Sequence, residues 1–134
     1  MSSETAGTGR TEVTTYEPSA IDEGQEGPQL KEIRVVERFV GDVEGEGRAR
    51  VLQALRSDGS ASYCAMERVV GRLAGRRGSF VLQVDGTVEG SVIKGRWFVV
   101  ARSGTGELQG LRGEGGFEAQ IGRQGAWTLE HWFE

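Results

Sequence analysis

The chain has 134 residues and a net charge of −4, with sixteen basic and twenty acidic residues. That length suits one domain with a real core, and no apolar run approaches the roughly 18 residues that cross a bilayer as a helix. No clustered positive charge marks a nucleic-acid face; the single histidine and single cysteine, Cys64, cannot supply the usual zinc ligand set or an intrachain disulfide.

The first residues, MSSETAGTGRTE, lack the basic start and apolar stretch of a signal peptide, so a cytoplasmic protein is expected. A strand is expected near residues 8–16. Residues 17–29 (EPSAIDEGQEGPQ) are acidic, carry Pro and Gly, and hold almost no apolar side chains. They read as a long loop or mobile segment, either a plain connection or a lid over a barrel mouth. From residue 30 onward the pattern is a short strand, a glycine turn and another short strand, repeated. Strands are expected at 30–40, 46–56, 60–73, 78–85, 92–101, 113–121 and 124–133, and no segment reads as a helix. Asp58-Gly59 and Asp85-Gly86 are hairpin-type dipeptides. Regular spacing with turn signals predicts an all-β fold, an antiparallel sandwich or barrel.

The alternation within these strands nominates inward faces. Phe80, Leu82 and Val84 share one face, with Val81, Gln83 and Asp85 on the other. Tyr63, Ala65, Glu67, Val69 and Leu73 share a face that carries a single charge. Trp127, Leu129, His131 and Phe133 form a row. Trp97 and Phe98 are adjacent and so point to opposite sides of the sheet. Several strands are apolar on both faces, which fits a barrel that packs on something, and a homo-oligomer, most simply a dimer, is expected.

The most distinctive stretch is SGTGELQGLRGEGGF at 103–117, with six glycines between Gly104 and Gly116. A phosphate loop needs such glycines between a strand and a helix N-terminus. Here the spacing is GxGxxxG, no Gly-Lys-Ser/Thr follows, and the later glycines prevent a helix from starting. The run therefore reads as a segment that lets a barrel wall bend.

GTGELQGLRGEGGF at 104–117, together with FVGDVEGEG at 39–47, DGSASY at 58–63, MERVVGRLAGRRGSFVLQ at 66–83, GRWFVV at 95–100 and TLEHWFE at 128–134, resembles a bacterial family of unknown function with an allene-oxide-cyclase-like β-barrel. That barrel type is shared with plant allene oxide cyclases and dirigent proteins. The chain departs from the family pattern at Val84, where histidine is frequent, and at His131, where an aromatic such as tyrosine is frequent. The resemblance implies an all-β fold closed into an antiparallel barrel of about eight strands, and a small-molecule cyclase or isomerase acting on a hydrophobic natural-product intermediate in its cavity. The alternative is a non-catalytic barrel that binds an apolar small molecule.

Within that frame Glu67 is the expected acid or base, provided its row lines the barrel; an ion pair with Arg34 or Arg96 is the structural alternative. Gln83 and His131 are the accompanying polar candidates for catalysis. Tyr63, Trp97 and Trp127 are expected to shape the substrate pocket, or else to pack as ordinary core. No cofactor and no metal are expected, and the partners are a hydrophobic small molecule and a second copy of the chain.

Overall fold

The structure, a computed structural model, describes residues 5–134. Eight strands follow one another: β1 (Thr5–Ala20), β2 (Gln29–Gly41), β3 (Val43–Leu55), β4 (Ala61–Leu73), β5 (Arg76–Glu89), β6 (Val92–Val99), β7 (Leu111–Gln120) and β8 (Gly125–Phe133). Each pairs antiparallel with its chain neighbours, and β8 returns to β1 to close a barrel in the order β1 to β8. Of the sandwich and the barrel that the strand pattern allowed, the closed all-β barrel implied by the resemblance is the observed fold. One short 3-10 turn (Gly106–Leu108) precedes β7. Among the described residues no helix is long and apolar enough to cross a membrane.

Two expectations about connections need correction. Asp85-Gly86 is not a turn: both residues lie within β5, paired with Arg96 and Gly95 of β6. The reversal falls later, between Glu89 and Val92. Gly86 is instead required inside the barrel, where any Cβ would collide with the Tyr63 ring. Segment 17–29 is also more ordered than a loop. Glu17 to Ala20 continue β1, paired with Arg34 to Lys31 of β2, and only residues 21–28 form the tip. A cross-strand ion pair, Arg34 to Glu17 at 2.8 Å, bridges this arm. Pro18 is tolerated because β1 is an edge strand there, its pairing with β8 ending at Thr11.

The turn between β4 and β5 shows how the local sequence sets register. Ala74 and Gly75 both take positive φ, +50° and +82°, the geometry that matches the twist of a two-residue hairpin. Register there runs unbroken from Leu73 opposite Arg76 to Ala61 opposite Val88.

The barrel is filled at its waist. Phe39, Trp97 and Trp127 lie with ring centroids 6.1–6.5 Å apart, and Phe117 sits 5.1 Å from Trp97. Both indole N–H groups are satisfied by backbone, Trp97 donating to the Thr128 carbonyl at 2.9 Å and Trp127 to the Arg10 carbonyl at 3.2 Å. The glycine run divides its work. Its first half, Ser103–Gly110, folds across one end of the barrel and inserts Leu108, which is fully buried. Ser79 and Val81 of β5 donate backbone N–H groups to the hydroxyls of Thr105 and Ser103, fixing this cap. The second half is β7, where Gly115 lies so close to the Thr128 carbonyl of β8 that no side chain fits.

Leu108 closes that end with no exposed surface, so Leu108→Ala is expected to lower unfolding free energy by about 2–5 kcal/mol, measured by urea denaturation. A loss under about 0.5 kcal/mol, typical of a surface change, would show that the cap is not part of the core.

Candidate functional site

β4 places Tyr63, Ala65, Glu67 and Val69 on its inner face, as the alternation predicts. Glu67 is 4 % exposed and lies on a wall of apolar neighbours, opposite Leu82 of β5 and Ala49 of β3. A second carboxylate meets it there. On β2, Ile33, Val35, Glu37 and Phe39 alternate inward, and Glu37 pairs with Gly47 of β3. β3 lies between the two glutamates and offers only Gly47 and Ala49 on this stretch. Over these small residues the Glu37 and Glu67 carboxyl groups approach closely enough for one proton to bridge them. A Cβ on Gly47 would overlap the Glu67 carboxylate and press to 2.8 Å from the Phe39 ring.

The alternative of an ion pair at Glu67 is not what forms. Arg34 is engaged with Glu17, and Arg96 is exposed on the outer face. Glu67 Oε2 is buried without a hydrogen-bond donor among the described residues. Two carboxylates this close in an apolar setting cannot both be charged, so the pair shares a proton. Burial pushes the Glu67 carboxyl well above its usual range, and the charge of Glu37 and the hydrogen bond between them add to the rise. Burial also raises Glu37, opposed by its hydrogen bond to Glu67.

Tyr63 lies on the same face as Glu67 and is half-buried. Its hydroxyl donates to the Lys94 carbonyl at 2.8 Å, in space left by Gly86 and Gly95. Burial raises its pKa, with the charges of Asp85 and Glu37 acting in the same direction, so the phenol stays protonated.

The remaining nominated residues separate from this group. Gln83 is exposed on the outside of β5; it shares the row of Val81 and Asp85, and cannot reach the interior. His131 does face inward and is 5 % exposed, and its Nδ1 has no partner among the described residues. Its neighbour is Phe133, edge-on at 6.4 Å, and Gly113 and Thr5 flank it across the strands. Cys64 is exposed on the outer face, so the barrel wall separates it from His131. Trp97 and Trp127 belong to the packed aromatic cluster below the carboxyl pair. Glu37 is the site residue that the sequence reading passed over. Its signal was present, a lone acid in the apolar row Ile33, Val35, Glu37, Phe39.

The profile of the DUF3224 family, described as a protein of unknown function, matches residues 7–131. The chain belongs to this family. It is also similar to the crystal structure of a DUF3224 protein of unknown function from Shewanella oneidensis MR-1, at 35 % identity and a TM-score of 0.84, covering 98 % of this chain and 99 % of that one. No curated protein matches the chain in sequence. Family membership thus carries the barrel and leaves its chemistry to the site.

The carboxyl pair makes stability depend on pH. Glu37 and Glu67 hold protons more tightly when folded than at their usual value of 4.5. The folded chain therefore binds more protons than the unfolded one above that pH. Stability from the protonated pair is full below about pH 4.5 and falls as pH rises. Glu67→Gln removes this titration while keeping the shape. Its stability relative to the parent is expected to rise with pH between 4.5 and 7, by at most ~1.4 kcal/mol per pH unit for one proton. Denaturant titrations across that range check it, and a pH-independent difference would show that the pair does not share a proton.

Proposed function

We propose that the barrel is a small-molecule isomerase or cyclase, acting on a hydrophobic intermediate of natural-product type by proton transfer at the Glu37–Glu67 pair. One observation carries the reading: a buried carboxyl group, Glu67, meets a half-buried one, Glu37, and no cation among the described residues neutralises them. A purely structural role is served as well or better by apolar residues of similar volume, whereas a shared-proton pair supplies an acid and a base at neutral pH.

The chemistry follows from the protonation asymmetry. Glu67, the deeper group, holds the proton and donates a hydrogen bond to an oxygen of the substrate, such as a carbonyl. Glu37 is half-buried and acts as the base that removes a proton from an adjacent carbon. Returning that proton to a different carbon shifts a double bond, and the same polarisation favours ring closure. No redox partner is required. Glu37 lies opposite Val13, which is 53 % exposed, on the part of β1 beyond its pairing with β8. That stretch is the natural entry for a ligand. Tyr63 would border the bound molecule, and Trp97 with Trp127 would form its floor. The resemblance to allene-oxide-cyclase-like barrels leads to the same reaction class. We place the activity in the cytoplasm, where the exposed thiol of Cys64 stays reduced.

The apolar wall around Glu67, with Val69 and Leu82 beside it, also fits a second reading, a barrel that holds an apolar ligand without converting it. Incubation with apolar metabolite extracts in D2O, followed by mass spectrometry, separates the two. The isomerase incorporates deuterium into a product isomer; the carrier retains ligand without label. Glu67→Gln and Glu37→Gln are each expected to lower that incorporation by about 10²-fold or more, the usual size of a general acid or base contribution. Unchanged labelling in both variants would remove the pair from the mechanism.

A further inference from the structure

The outer wall carries a feature that the interior chemistry does not use. Leu52, Met66 and Phe98 are 52 %, 51 % and 45 % exposed, and they line a shallow outer groove of about 1010 Å³ that crosses β3 to β8 and reaches β1. We propose that this face is a twofold homodimer interface, with the symmetry axis running along β5 through Gln83.

The order of side chains across the strands supports the second copy as occupant. Cross-strand pairing sets one outer row: Arg50 opposite Met66, Met66 opposite Gln83, Gln83 opposite Phe98, Phe98 opposite Glu114. With strands about 4.8 Å apart, Met66 and Phe98 flank Gln83 at one spacing, and Arg50 and Glu114 at two. The row reads positive, apolar, polar, apolar, negative about its centre. A twofold axis along β5, lying in the plane between two facing copies, exchanges left and right. It sets Arg50 against the partner's Glu114, and Met66 against the partner's Phe98, each twice. Glu130, next in the row beyond Glu114, adds to the acidic end that faces Arg50. Among the described residues Arg50 has only a loose contact with Glu32, at 3.5 Å between two exposed groups, which leaves it able to turn to a partner. The neighbouring row places Asp85 on the axis, and Arg96 beside it in both copies balances the two acids.

Shape agrees with charge. A twisted barrel is a hyperboloid, so its outer wall is convex around the circumference and concave along the axis. Such a saddle fits a copy of itself turned by about 90°. Strands tilt about 35–45° from a barrel axis, so a twofold along a strand crosses the two barrel axes at roughly 70–90°, which brings the concave direction of one copy onto the convex direction of the other. A symmetric interface of this kind is isologous and closes at two copies.

Sedimentation equilibrium of the full chain tests this, with circular dichroism to confirm that each variant is folded. The parent chain is expected to be a dimer. Arg50→Glu and Glu114→Arg each create two like-charge contacts and are expected to weaken it about tenfold or more. The combined variant restores opposite charges across the axis and is expected to regain most of the parent affinity. Phe98→Lys, at the apolar step of the row, is expected to give a monomer. A parent chain that is monomeric throughout the micromolar range would overturn the proposal, including one found by native mass spectrometry with a small molecule in the groove instead. So would a dimer indifferent to these changes, or a combined variant no tighter than the single ones.

Discussion

Seven residue pairs join β1 to β8, from Thr5 opposite His131 to Thr11 opposite Gly125, and the rest of the molecule depends on that seam. Closing an eight-stranded sheet fixes an interior just wide enough for side chains to fill. Every large residue inside must then be matched by a small one. The Phe39, Trp97, Trp127 and Phe117 cluster fits because glycines lie beside it, and Tyr63 fits because Gly86 and Gly95 leave its space. The composition of the chain, with 22 glycines and few prolines, is the imprint of this constraint on the sequence.

The same constraint isolates the carboxyl pair. Phe39 and the tryptophans close the space beneath Glu37 and Glu67, and Leu108 seals the far end of the barrel. Glu67 is kept out of water while Glu37 stays half-buried, and no arginine among the described residues pairs with either. Desolvation then holds a proton on the pair above the pH at which an exposed pair would have lost it. The seam also ends early: β1 continues nine residues past Thr11 without β8, to Ala20. Glu37 lies under that unpaired stretch. Closure therefore makes the dry interior, and its incompleteness supplies the way in.

Inside and outside are two codes on one set of strands. Position 82 is core and position 83 is surface, because successive residues in a strand point to opposite faces. The outer code here is not a uniformly polar coat. It sets Met66 and Phe98 on either side of Gln83, with Arg50 and Glu114 beyond them, while the inner code places Ala65, Glu67, Leu82 and Val99 behind that surface.

Local pattern was sufficient for the number of strands, their approximate limits, the inward row of Tyr63, Glu67 and Val69, and the exclusion of a phosphate loop at 103–117. Period-two alternation and glycine turns are local properties and can be read one strand at a time. Gln83 could have been assigned outward by the same parity, since Phe80, Leu82 and Val84 already claimed the core face. What the sequence by itself did not decide is which residues from distant strands meet. Glu37 and Glu67 are thirty positions apart, and their contact exists only because Gly47 and Ala49 on the strand between them leave the space open. Asp85-Gly86 carries the letters of a turn, yet the bulk of Tyr63 two strands from Gly95 keeps that glycine inside the wall. Arg50 and Glu114 acquire their places about Gln83 only once five strands are laid side by side. Alternation determined the strands and the face of each residue; register and closure, which depend on long-range pairing, decided the barrel and the partners within it.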